Sequence, residues 1–132
     1  MPLLQTTVLA DRETAPVNHT FVPRDVKDGR GVVVNSTGVP IGDERLTVSM
    51  KEATSRYNGE VKLVLPVVQN ETINGVVRPT VVRTAYVTMN FSFDKSSTLQ
   101  ERKNAVGLAA AALATNKPLI NDALINLESV WG

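Results

Sequence analysis

Alternation of apolar and polar residues at a period of two is the feature that most constrains how this chain can fold. It runs through three segments, 45–51, 60–65 and 85–93, where one face of an extended strand is mainly apolar and the other mainly polar. Strands of this kind are typical of an antiparallel sheet with one face in water. Shorter strands are predicted over residues 6–10, 17–22 and 31–35.

The last third of the chain, rich in alanine, leucine and asparagine, predicts two helices. A capping box, either Ser97 with Gln100 or Thr98 with Glu101, starts the first helix. Pro118 separates it from the second helix, which carries an apolar stripe. Strands first and helices last indicate the α+β class, with one domain over residues 1–132.

Turn residues divide the strand-rich part. Asn58-Gly59 is expected to close a hairpin between the first two long strands, and Asn74-Gly75 is a favourable tight-turn dipeptide. Pro66 and Pro79 bracket the second turn, and proline cannot donate to a strand ladder. The segment 67–78 is therefore predicted to leave the sheet as a projecting loop.

Composition excludes several classes of function. The chain has no cysteine and a single histidine, His19, which is interpreted as a surface or turn residue. No apolar run approaches the ~20 residues that span a bilayer, so no membrane partner is expected. No nucleotide-binding or metalloprotease motif and no carboxylate pair at helical spacing is present. We therefore expect no enzyme, no cofactor and no metal site.

The polar strand faces combine cations, hydroxyls, amides and one ring, a set that suits unpaired RNA bases and their phosphates. The alternative is an ordinary solvated sheet face, which Glu60 favours because a carboxylate repels phosphate. The residues on these faces are Arg45, Thr47, Ser49, Lys51, Glu60, Lys62, Tyr86, Thr88 and Asn90.

The sequence also leaves open what covers the apolar surface of the sheet and of the segment 67–78. The first helix offers mostly thin alanine side chains to cover the sheet, while valines crowd the segment 67–78. Apolar residues at a loop tip favour contacts between subunits. The alternative is that the segment folds back on its own chain.

Several longer strings are spread over the whole chain: Asp11-Arg12-Glu13, residues 19–25 (HTFVPRD), 36–42 (STGVPIG), 62–69 (KLVLPVVQ), 81–84 (VVRT), Tyr86-Val87 and Asn126-Leu127. With these strings the chain resembles the coat proteins of single-stranded RNA bacteriophages, the leviviruses, and above all the branch that infects plasmid-bearing Pseudomonas.

The resemblance implies an N-terminal β-hairpin, a five-stranded antiparallel sheet and two C-terminal helices that reach over a partner subunit. Two chains would interlock into a homodimer with one ten-stranded sheet. Ninety dimers would close a T=3 icosahedral shell around the genomic RNA, with the segment 67–79 gathered around its axes and Pro79 matching a proline that can be cis. The expected location is the virion, after assembly in the host bacterial cytoplasm, and the phage maturation protein is a further candidate partner.

The resemblance also implies binding of an operator RNA hairpin that represses replicase translation. Thr47, Ser49 and Lys62 match positions that hold an unpaired adenine, and Arg45 and Lys51 match positions that meet phosphates. The ring of Tyr86 would stack on a base, next to Thr88, which stands where an asparagine is frequent. Asn58 and Asn90 complete the candidate set, and Glu60 departs from the hydroxyl of the family. The alternative function is an RNA-binding regulatory dimer that never assembles.

Overall fold

An antiparallel sheet of six strands, in the order of the chain, dominates the structure, a computed structural model that describes residues 2–132. The three long alternating segments lie in the last three, neighbouring strands, as predicted. The strands are β1 (Thr7–Ala10), β2 (Asn18–Lys27), β3 (Arg30–Asn35), β4 (Glu44–Glu52), β5 (Arg56–Ile73) and β6 (Val76–Asp94).

The expected N-terminal hairpin and five-stranded sheet share strand β2. Its first half pairs with β1, up to Phe21 opposite Thr7, and its second half pairs with β3, from Val22 opposite Val34. The register shifts between Pro23 and Asp25, as at a β-bulge. The hairpin and the sheet therefore amount to six strands together.

The predicted loop over 67–78 is wrong. Strands β5 and β6 run on to Ile73 and Val76, and only Asn74-Gly75 forms the turn, with the positive φ values of 51° and 77° that a type I′ turn needs. Strand β4 pairs with β5 only as far as Val64, so Pro66 lies beyond that ladder, where the missing backbone donor breaks no pairing with β4. The described residues contain no cis peptide bond, so Pro79 is trans.

The prediction that Asn58-Gly59 closes a hairpin is also wrong, since both residues lie inside β5. The β4–β5 connection is residues 53–55, where the Ala53 amide donates to the Arg56 carbonyl at 2.7 Å. Gly59 is buried opposite Met50, and a Cβ atom there would lie 2.9 Å from the Met50 Cε atom. The glycine serves close packing rather than a turn.

The chain divides into two compact units, and the second, which begins at Phe93, contains helices α1 (Leu99–Ala112) and α2 (Pro118–Ile125). The Thr98 hydroxyl accepts from the Glu101 amide at 3.2 Å, which selects the second of the two predicted caps. Neither helix has the length and apolar character needed to cross a membrane.

Most of the small buried core lies on one face of the sheet, while Val34, which is 1% exposed and stands opposite Arg45, lies on the other face. Phe21, Val33 and Leu46 are buried, with Leu4, Val61 and Leu63 packed against them. On the same face of β4, Val48 and Met50 remain about half exposed. No residue of α1 or α2 is buried. Large exposed apolar residues of the second unit are Leu99, Val106, Leu108, Leu113, Leu119, Leu124, Ile125, Leu127, Val130 and Trp131.

Candidate nucleic-acid interface

Cross-strand register brings the predicted residues of β4 and β5 together on the polar face. Directly opposed residues of an antiparallel pair project on the same side of the sheet. The opposed pairs are Arg45 with Val64, Thr47 with Lys62, Ser49 with Glu60, and Lys51 with Asn58. These side chains therefore form one continuous surface, called the polar patch below.

Strand β6 extends the polar patch. The Ser92 hydroxyl donates to the Asn58 Oδ1 atom at 3.0 Å, which places Ser92 on the patch side of the sheet. Because side chains alternate along a strand, Asn90, Thr88 and Tyr86 lie on that side as well. Tyr86 is 75% exposed, so its ring is open to stacking.

Arg30 is a patch residue that the sequence analysis missed. It stands directly opposite Ser49, in a strand predicted to begin only at Gly31. The Asp28-Gly29 turn, both of whose residues have positive φ, could have revealed it, because a two-residue turn is flanked by paired residues. Arg30 helps to line a recess of about 300 Å³ together with Ser49, Lys51, Asn58, Gly59, Glu60, Asn90, Phe91 and Ser92.

The charges of the polar patch are mainly positive. Arg30, Arg45, Lys51 and Lys62 face a single carboxylate, Glu60, among the described patch residues. The Lys62 Nζ atom lies 3.4 Å from the Glu60 Oε1 atom, and both side chains are partly solvated. A solvated pair of this kind is weak, so Lys62 can exchange its partner for a phosphate. The small Ser49 side chain is buried at 9% relative exposure, which puts a hydroxyl at the base of the recess.

His19 does not belong to the polar patch, and it lies in a strand rather than in a turn, with its side chain 29% exposed. It lies in β2, half-buried, with its two ring nitrogens 2.7 Å and 2.6 Å from carboxylate oxygens of Asp11 and Glu44. These partners are distant in sequence, so no spacing rule could have joined them.

Comparison with known proteins gives consistent matches over most of the chain. The family model described as levivirus coat protein matches residues 2–131. The chain is 52% identical to the capsid protein of Pseudomonas phage PRR1 over 129 residues, which cover 97% of this chain and 98% of the relative. It is 35% identical to the capsid protein of Escherichia virus Qbeta over 114 residues, 83% of each chain.

The fold also matches a solved structure over nearly the whole chain. A virus-like particle of bacteriophage NT-214 has a subunit that superimposes with a TM-score of 0.86, over 98% of this chain and 100% of the other, at 23% identity. The family model and the capsid-protein relatives define a structural protein of a viral shell, and this confirms the expectation that the chain is not an enzyme. The chain belongs to the levivirus coat protein family, as the sequence resemblance indicated.

Proposed function

We propose that two copies of this capsid protein interlock into a homodimer with a ten-stranded sheet, and that ninety dimers form a T=3 shell around the genomic RNA. The polar patch faces the interior and also binds an operator hairpin that represses replicase translation. Assembly takes place in the host cytoplasm, and the phage maturation protein is a further partner of the shell.

The dimer proposal rests on the large surface that a single chain leaves exposed. The described residues expose 10122 Å². A monomer of 14.3 kDa exposes roughly 6,800 Å², so the excess is about 3,300 Å². Permanent dimers typically bury 2,000–5,000 Å² or more in total, which this excess is sufficient to supply.

The chemistry of the uncovered surface agrees with a permanent contact. Leu108, Leu127 and Trp131 are 72%, 90% and 93% exposed, and Val48 and Met50 are about half exposed on the apolar face of the sheet. Obligate interfaces are richer in apolar area than transient ones. A second copy that covers both surfaces would complete the core, and folding would then depend on association.

The composition of the polar patch supports the RNA proposal. Arg45 and Lys51 would contact phosphates, while Thr47, Ser49 and Lys62 would hold an unpaired adenine. Tyr86 would stack on a second base. The remaining members of the proposed set are Asn58, Glu60 and Asn90, which line the recess, and Thr88, which lies on the same side of β6 as Asn90.

The tip of the β5–β6 hairpin is proposed as the contact around the symmetry axes of the shell. Ile73, Val76 and Val77 are each at least half exposed there. Apolar side chains at an exposed tip are stabilised when neighbouring tips cover them.

Expression followed by size-exclusion chromatography, negative-stain microscopy and the 260/280 nm absorbance ratio tests the proposal. We expect closed particles that contain nucleic acid. Discrete dimers that bind RNA but never assemble would favour the alternative of a regulatory dimer. Particles that remain empty would contradict the RNA part alone.

A further inference from the structure

The single histidine of the chain joins parts of the sheet that are distant in sequence. The Nε2 atom of His19 lies 2.7 Å from Asp11 Oδ2 in the β1–β2 loop, and its Nδ1 atom lies 2.6 Å from Glu44 Oε1 at the start of β4. Glu44 Oε1 also accepts from the Asn35 side-chain amide on β3 at 2.7 Å. The ring therefore connects the N-terminal hairpin to two strands of the sheet.

The contacts specify the protonation state of the ring. A carboxylate only accepts hydrogen bonds, so each ring nitrogen must carry a proton to donate at these distances. Only the imidazolium has both protons. A neutral ring would place one lone pair against a carboxylate oxygen and lose one of the two bonds.

The charged groups around the ring reinforce this state. Asp11 faces it from the loop and Glu44 from β4, both as anions. Asp11 Oδ1 is itself held by the amides of Val17 and Glu13 at 2.9 Å and 3.1 Å. The cations nearest in sequence to the three residues are Arg12, beside Asp11, and Arg45, which follows Glu44 but projects to the opposite face of β4. The Arg24 Nη2 atom lies 3.8 Å from Oδ2 of Asp43, which precedes Glu44.

We infer that His19, clamped between Asp11 and Glu44, is a pH-sensitive latch that docks the N-terminal hairpin on the sheet and releases it when the ring loses its proton. The inference depends on this cluster alone and stands apart from the proposed RNA site.

The pKa directions agree with the geometry. Hydrogen bonds to Glu44 and then Asp11 raise the pKa of His19 above 6.5. A raised pKa in the folded state means that the stabilisation is complete below pH 6.5 and is lost as pH rises through the folded value. The Val17 amide, the His19 ring and the Glu13 amide lower the pKa of Asp11 from 3.8 to about 2. That contribution is present above pH 3.8 and is lost as pH falls toward 2. Both ion pairs of His19 are therefore intact between pH 3.8 and 6.5.

Hydrogen–deuterium exchange of the purified full-length protein between pH 5.5 and 9 tests the latch. After correction for intrinsic exchange rates, we expect opening of residues 7–21 to increase with pH, tenfold for each unit by which folding raises the pKa of His19. Exchange in residues 56–65 should stay constant. Equal corrected exchange of residues 7–21 at all pH values would overturn the inference.

Three variants separate the latch from general charge effects. His19→Gln should hold residues 7–21 in the open state at every pH, and a remaining pH-dependent rise would contradict the inference. Glu44→Gln, which keeps the ring, should move the midpoint to lower pH, so it serves if His19→Gln fails to fold. Asp25→Asn removes a carboxylate from the same strand and should keep the midpoint of the unaltered protein. A shift in this control would show that net charge controls opening instead.

Discussion

Glu60 is the residue whose replacement separates RNA binding from an ordinary solvated surface most clearly. Its carboxylate lies 3.4 Å from the Lys62 ammonium. It therefore pairs with a cation that we propose to contact the RNA. Glu60→Gln keeps the shape of the side chain, removes its charge and replaces one acceptor oxygen by an amide donor. We expect the change to strengthen binding, since Lys62 becomes available and a repulsive charge disappears.

The size of the effect follows from distance and exposure. At 3.4 Å a charge pair is worth about 1 kcal/mol in water and about 5 kcal/mol at an effective dielectric constant of 20. The Lys62 and Glu60 side chains are 49% and 34% exposed, so the lower figure applies. A gain of about 1 kcal/mol corresponds to about fivefold tighter binding. One further neutralised phosphate should steepen the logarithmic salt dependence by about 0.7–0.9.

Filter binding or fluorescence anisotropy with an RNA hairpin, at several salt concentrations, measures both quantities. Glu71→Gln removes a carboxylate near the hairpin tip and is the matched control, with unchanged binding expected. Lys62→Ala should weaken binding and flatten the salt dependence. Weaker binding by Glu60→Gln would refute the reasoning, because it would mean that the carboxylate accepts a hydrogen bond from a base. If affinity and its salt dependence do not change, Glu60 and Lys62 do not contact the RNA.

Three more changes test other parts of the account. Tyr86→Ala should weaken hairpin binding by about 1–3 kcal/mol through loss of a base stack, and unaltered affinity would remove Tyr86 from the site. Deletion within residues 70–77 should leave dimers intact but impair shells in electron micrographs, and normal shells would exclude the tip as an assembly contact. Thr98→Ala should cost about 1 kcal/mol in urea unfolding because the Glu101 amide loses its cap, and no loss would make that hydrogen bond irrelevant to stability.

Local pattern was sufficient to predict the strands and the helical third of the chain. The alternation at Arg45–Lys51 identified β4 and its two faces because side chains in a strand must alternate. It could not give strand length beyond Leu65, since the valine-rich run 67–78 lacks alternation and the flanking Pro66 and Pro79 suggested a break. Where β5 extends past the end of β4, a proline is tolerated, and that fact depends on the register of another strand.

Contacts between distant residues were the part that sequence could not supply. Gly59 looked like half of a turn, yet its reason is the close approach of Met50 across the sheet. Arg30 joins the polar patch only through its pairing with Ser49. The clamp on His19 depends on a loop and on a strand that begins 25 residues later, which no spacing rule anticipates.

We propose that one copy of this chain is an incomplete fold. Equilibrium unfolding of isolated dimers at a series of protein concentrations tests it most directly. If folding requires two copies, the transition midpoint falls with dilution, the apparent stability drops by about 1.4 kcal/mol for each tenfold dilution, and no folded single chain is detected. A folded monomer whose midpoint does not depend on concentration would contradict the account.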